Sequence, residues 1–302
     1  MMTKYAVRTD LAVESKEKFE KDQVEIEGVV IHETYDRQRD IRTTVVSVES
    51  EKGARIMEKP RGHYITIEAP GLTQTEQSYH QEIAGELANH LQKIMGLDQR
   101  KRILVAGLGN MDITPDALGP AVVRHLVVNR HVIREYGADE SGNSRVHEIS
   151  TIIPGVMART GMETLEILRG VVQETKPDMV VAVDALAARS TRRLNCTIQI
   201  TDTGINPGSG VMNHRNRINR ESLGVPVIAI GVPTVVDAAT IVHDAVEHLL
   251  EALDEAEIEE FLAELIAPGL SSMFVTPKDV DETLKQLSMT ISQGLNLAFS
   301  CV

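Results

Sequence analysis

Between Lys21 and Pro70 apolar and polar residues alternate, first in VEIEGVVIHE, then in IRTTVVSVE and HYITIEAP. A period of two belongs to strands with one buried and one wet face, so this region predicts three antiparallel strands joined by charged turns. The period then lengthens. Over Leu72–Leu97 the residues Ile83, Leu87, Leu91 and Ile94 fall at helical spacing and predict one long amphipathic helix. From Lys101 the pattern changes again: RILVAGLGN, VHEIST, DMVVAVDAL, CTIQIT and VPVIAIGVP are short strand-like runs, three of them with continuous apolar centres. Helices are predicted over about 117–130, over GMETLEILRGVVQET, from near Val235, and over about 254–266 and 277–297. Apolar strands alternating with helices predict an α/β fold, three-layer α/β/α, with a mostly parallel central sheet and a smaller N-terminal β-rich region.

Composition narrows the function. The chain has 302 residues, 42% hydrophobic and 25% charged, which suits a folded domain with a sizeable core. Aromatics make up 3% and Trp is absent, so aliphatic side chains must fill that core. The net charge of −13 argues against nucleic acid as a direct partner, because phosphate contacts need a basic face. Two cysteines, Cys196 and Cys301, make neither a disulfide framework nor a zinc pattern. The start, MMTKYAVRTD, has no apolar signal region, and no run is long enough to span a membrane; a cytoplasmic protein is expected.

In open α/β sheets ligands gather beyond the carboxyl ends of the strands, and three stretches put unusual residues there. GLGNMDITPDALGP, Gly107–Pro120, offers only a weak dinucleotide signal, since the third glycine of GxGxxG falls on Asp112. Asp116 follows Pro115 at a helix start, where an acid has the plain role of capping the helix. MVVAVDALAARS puts Asp184 after five apolar residues at the mouth of a central strand. It is suited there either to loop hydrogen bonds and pairing with Arg189, or to acid–base work with a second carboxylate. The third stretch, IQITDTGINPGSG, contains Asp202-Thr203-Gly204, the triplet of pepsin-like enzymes. It occurs once and in the wrong fold class, so it reads as a turn, with the Gly/Pro/Ser run beyond it as a loop lining a site.

Other chemistries find little support. His243 and His248, five residues apart, lie about 140° around a helix and do not make a zinc pair. No GxSxG element occurs, and no cysteine stands out as a nucleophile. A nucleotide-binding module built on GLGN lacks both the Walker lysine and the third glycine.

GLGNMDITPDALGP, VVAVDALAARS, IQITDTGINPGSGV and VIAIGVPTVVDAATI resemble the germination proteases of spore-forming bacteria, and the resemblance runs through nearly the whole chain. It implies a cytoplasmic endopeptidase of the spore core, a homotetramer that degrades small acid-soluble spore proteins. It also implies a fold like that of hydrogenase maturation endopeptidases, in the phosphorylase/hydrolase-like class. Asp116 and Asp184 would be the catalytic carboxylates, with no cofactor. If a metal took part as in the maturation enzymes, His214 would be its third ligand. The enzyme would be made as a self-processing zymogen with residues 1–10 as propeptide, 11–72 as the β-rich subdomain packed on the core and 73–302 as the catalytic domain.

The resemblance also gives a meaning to RTDLAVE, Arg8–Glu14, too short for a helix and a poor strand. Thr9-Asp10-Leu11-Ala12-Val13-Glu14 is similar to the motif cut in the family's substrates. This predicts self-cleavage between Asp10 and Leu11, with the segment presented extended and exposed. Its two acids call for basic partners, for which Arg189, Arg192 and Arg193 are the candidates.

Overall fold

The computed structural model describes residues 9–15, 26–74, 76–137, 146–208, 216–242 and 273–300. The predicted helix over 254–266, His214, His243, His248 and Cys301 lie outside the described residues. The strands are β1 (Val29–Asp36), β2 (Ile41–Val48), β3 (Gly62–Glu68), β4 (Arg102–Gly107), β5 (Glu148–Ile152), β6 (Met179–Ala188), β7 (Thr197–Thr201), β8 (Val227–Asp237) and β9 (Phe274–Val275). The principal helices are α1 (Glu51–Met57), α2 (Gln77–Met95), α3 (Leu118–Val123), α4 (Arg130–Tyr136), α5 (Thr164–Thr175) and α6 (Val280–Phe299).

Among the described residues the strands form one nine-stranded sheet in the order β1-β2-β3-β7-β8-β6-β4-β5, with β9 beside β8. The expected α/β class holds, but the expected mostly parallel sheet does not. Only the β4–β5, β4–β6 and β6–β8 pairs are parallel; the other five are antiparallel. The alternating N-terminal strands run antiparallel as predicted, and β7 joins them to the parallel strands in a continuous sheet. β7 is buried on both faces like a parallel strand, although Thr and Gln alternate with Ile along it and both its neighbours run the other way.

Side chains along β4 and β6 divide between two cores, as a period of two requires. Ile103, Val105, Val181 and Val183 join the core built with α2, α3 and α6, while Leu104, Ala106, Val180 and Ala182 join the one built with α5. Helices α2 and α6 approach closely at Gly294, where an added Cβ would lie 2.7 Å from Leu87 Cδ2. The helix predicted over about 117–130 is two short pieces, α3 and α4, and the turn between β2 and β3 contains α1. Ser50 caps α1 by accepting the Gly53 N–H at 2.9 Å, and the helix ends at Glu58 in the left-handed region, with φ 52°.

Strand lengths shape the site. β4 stops at Gly107, opposite Val183, whereas β6 continues beside β8 as far as Ala188. Beyond Val183, therefore, β6 has a strand on one side only among the described residues. Backbone hydrogen-bonding groups left there need other partners.

Candidate active site

The loop after β4 folds back over the end of that strand. The Leu108 N–H donates to the Val183 carbonyl at 2.8 Å, and Thr234 Oγ1 of β8 donates to the Pro115 carbonyl at 2.7 Å. Glycines permit this approach: an added Cβ at Gly119 would lie 2.3 Å from the Val183 oxygen. At Gly109, with φ +111°, it would lie 1.9 Å from the Asp116 oxygen. The loop delivers Asp116 on a short 3₁₀ turn, Thr114–Asp116. Its carboxylate accepts the Asn110 N–H at 2.8 Å and so closes its own loop. The N-cap position of α3 belongs to Ala117, with no side-chain cap, so the plain capping role does not apply to Asp116.

Asp184 is 5% exposed, and its Oδ1 accepts the Ala185 N–H at 3.0 Å. It belongs to the alternating set of Val180 and Ala182 and so points to the α5 face of the sheet. It does not mark a strand end: β6 runs four residues beyond it. Asp116 and Asp184 line one cleft of about 370 Å³, together with Leu186, Pro207, Thr234 and Asp10. Asn206, Pro207 and Gly208 bring the predicted loop after β7 to the cleft wall.

Asp10 connects the cleft to the N-terminal segment, which lies where β6 lacks its second neighbour. The Asp10 N–H donates to the Ala187 carbonyl at 3.1 Å, and the Ala187 N–H donates to Asp10 Oδ2 at 2.9 Å. Residues 12–15 form a helical turn, with Ser15 N–H donating to the Leu11 carbonyl. Leu11, Ala12 and Val13 are buried, Leu11 and Val13 against Leu186, Ala188 and Val236, and Ala12 against Val46 and Tyr64. The expectation of an extended, exposed segment is thus corrected. Three apolar side chains in six residues are better buried, and one helical turn lets them reach two patches of core.

Glu14 anchors the far end and is 2% exposed. Its carboxylate accepts the Arg189 N–H at 2.8 Å, the Ser190 N–H at 3.0 Å and Arg193 Nη1 at 3.3 Å, besides the Thr9 hydroxyl. Arg193 also donates to Glu68 through Nε at 2.9 Å. Of the three predicted arginines, Arg193 meets Glu14 through its guanidinium and Arg189 through its backbone amide. The exposed Arg192 belongs instead to a neighbouring cavity with Tyr35 and Asp40.

Two groups on this segment escaped the sequence reading. Lys59 Nζ and Gln199 Nε2 donate to the Asp10 carbonyl at 2.9 and 3.2 Å, while Gln199 Oε1 accepts the Ala12 N–H at 2.7 Å. Burial pushes the Lys59 ammonium below the ordinary lysine range; Asp10, Glu14 and Glu58 oppose that shift, and Arg217 adds to it. Gln199 carried a signal, since an amide at the centre of a strand needs partners once buried. Lys59 carried none. Its position follows from the αL turn of Glu58 and from Tyr64 Oη, which donates to the Pro60 carbonyl at 2.8 Å.

The Asp-Thr-Gly triplet is a turn after β7, as predicted. Asp202 accepts the His63 N–H at 2.8 Å and pairs with His63 Nδ1 at 2.8 Å, and Gly204 supplies the positive φ. Cys196 is buried, donates to the Arg192 carbonyl, and has its thiol pKa pushed up by burial. Among the described residues no group of His, Cys, Asp or Glu side chains is arranged to hold a metal ion. No described helix is long and apolar enough to cross a membrane.

A family model described as germination protease matches residues 6–253. The germination protease of Caldanaerobacter subterraneus subsp. tengcongensis is 44% identical, with 99% of this chain and 95% of that protein covered. That of Clostridium perfringens strain SM101 is 43% identical over 97% and 95%, and that of Bacillus cytotoxicus 38% over 98% and 94%. By these matches the chain is a peptidase, a hydrolase of protein substrates. It belongs to the germination protease family.

Proposed function

We propose that the chain is an endopeptidase whose carboxylate pair, Asp116 and Asp184, activates water against a peptide carbonyl. One of the pair is ionised and takes a proton from water; the other is protonated and gives its proton to the departing amine. The observation that carries this reading is the cleft shared by Asp116, Asp184 and Asp10, with Asp10 inside a peptide segment anchored along β6. That segment is the chain's own substrate, cut between Asp10 and Leu11, so the full-length chain is a zymogen. Small acid-soluble spore proteins, carrying a similar motif, are its substrates in the spore core, and the working form is a homotetramer. The resemblance of Thr9–Glu14 to that motif supports the substrate class.

The test is N-terminal sequencing of the full chain after incubation under activating conditions. Wild type is expected to gain a new terminus at Leu11, whereas Asp116→Asn and Asp184→Asn are expected to keep Met1. Processing at the wild-type rate in either variant defeats the assignment. Repeating the wild-type run after dialysis against chelator separates the metal-free reading from one that uses His214 as a ligand.

A further inference from the structure

Peptide hydrolysis pushes an electron pair onto the carbonyl oxygen, and that developing charge needs donors already in place. Two aspartates are poor donors for it, since at most one carries a proton that it also needs for the amine. The Asp10 carbonyl is the oxygen of the bond predicted to break, and Lys59 Nζ and Gln199 Nε2 already meet it. Both donors stand on firm supports. Gln199 is 7% exposed on β7, in register with Thr66 of β3 and Gly231 of β8. Lys59 is fixed by the end of α1 and donates its own N–H to the Ala54 carbonyl at 3.2 Å.

We infer that Lys59 and Gln199 form the oxyanion site of this peptidase, one reaching the scissile carbonyl from the end of α1 and the other from β7. The inference rests on the carboxylate-pair reading. Water oxygen bonds to the Asp10 carbonyl carbon, the ionised aspartate takes the water proton, and the carbonyl π pair moves to the oxygen facing Lys59 and Gln199. When that pair returns, the bond from carbon to Leu11 nitrogen breaks and the nitrogen takes the proton of the other aspartate. The products are a carboxyl group on Asp10 and an amine on Leu11. The aspartates are thereby freed from polarising the carbonyl. Gln199 also receives the Ala12 N–H on its Oε1, so one side chain registers the peptide and holds the reacting oxygen.

A merely structural role, anchoring the segment, predicts different kinetics. The experiment follows cleavage of a synthetic peptide carrying Thr9–Glu14 by the processed form of the chain, beginning at Leu11, for wild type, Lys59→Met, Lys59→Arg, Gln199→Leu, Gln199→Glu and Asp184→Asn. Lys59→Met and Gln199→Leu are each expected to lower kcat by about 10²–10³-fold with a much smaller change in KM. Lys59→Arg is expected to recover part of the loss, and the isosteric Gln199→Glu, which sets an acceptor against the oxyanion, to lose the most. If the apolar variants do not give wild-type-like circular dichroism, Lys59→Arg and Gln199→Glu decide the matter. A rise in KM with kcat held, or Gln199→Glu turning over like wild type, overturns the oxyanion assignment. Asp184→Asn separates the two readings. Its retention of kcat sinks the carboxylate pair, whereas loss there with full kcat in the Lys59 and Gln199 variants sinks only the oxyanion site.

Discussion

Leu108 N–H donates to the Val183 carbonyl at 2.8 Å, one residue before Asp184, so the loop that carries Asp116 is tied to the strand that carries Asp184. The contact is possible because Gly119, on the returning side of that loop, lies against both residues. An added Cβ there would stand 2.3 Å from the Val183 oxygen and 2.4 Å from the Leu108 nitrogen. Backbone atoms cannot yield as a flexible side chain would. Gly119→Ala is therefore expected to cost about 1–3 kcal/mol or more, and to slow cleavage more than its stability loss explains. Urea denaturation beside a cleavage assay checks this. Unchanged values in both would show that the loop is not pinned as described.

The N-terminal segment is held at its far end by Glu14, whose carboxylate meets two backbone amides and Arg193. Arg193 retains Glu68 when Glu14 is removed, so the variant does not strand a buried cation. The two amides of Arg189 and Ser190 do lose their acceptor. Glu14→Ala is expected to weaken docking by about 1–3 kcal/mol, a roughly ten- to hundredfold faster amide exchange of Leu11–Ser15. Processing at Asp10–Leu11 should slow in step. Hydrogen exchange read by mass spectrometry on the N-terminal peptide is the measurement, and exchange equal to wild type counts against the anchor.

Asp202 sits in the triplet that a motif reading would favour, yet its carboxylate is committed to His63. The pair is partly exposed, and such pairs contribute little to stability. Asn in its place still accepts the His63 N–H. Asp202→Asn is accordingly expected to lose less than about 1 kcal/mol and to process normally, while Asp184→Asn does not process at all. Side-by-side digestion of the two variants tests the contrast. A dead Asp202→Asn would return the triplet to candidacy.

The strands were legible in the sequence because periodicity is a local signal; strand length is not, and β6 runs four residues beyond Asp184, which the sequence placed at a strand mouth. Strand direction is not local. A run such as CTIQIT alternates Ile with Thr and Gln, yet β7 is buried on both faces, and the run says nothing of whether its neighbours run with or against it. The α1 turn was signalled by Ser50 and Glu51 but is short enough to pass for a charged connection. Nothing local in Thr9–Glu14 reported its burial, because its surroundings are assembled from β6, β7 and the end of α1. Lys59 and Gln199 meet at the Asp10 carbonyl from positions 140 residues apart, a juxtaposition only the fold supplies.

If Lys59 serves as an oxyanion donor, it is also where stability and function pull apart. Burial lowers its pKa below the ordinary lysine range despite the attraction of Asp10, Glu14 and Glu58, so the folded chain holds this cation less comfortably than water does. The sign follows from linkage. At pH below the folded pKa the full penalty of the buried charge is present. It is relieved as pH rises through the interval between the lowered folded pKa and the unfolded lysine value. Lys59→Met has no charge to bury, so it is expected to match or exceed the wild-type Tm near neutral pH, with that advantage shrinking in alkaline buffer. Cleavage should move oppositely. Wild-type activity is expected to fall on the alkaline side as the ammonium deprotonates earlier than an ordinary lysine, whereas Lys59→Arg should remain active to higher pH. Thermal unfolding and cleavage rates measured across the alkaline range for the three proteins give both curves. A Lys59→Met chain that is both less stable at neutral pH and unchanged in kcat would make Lys59 a structural residue.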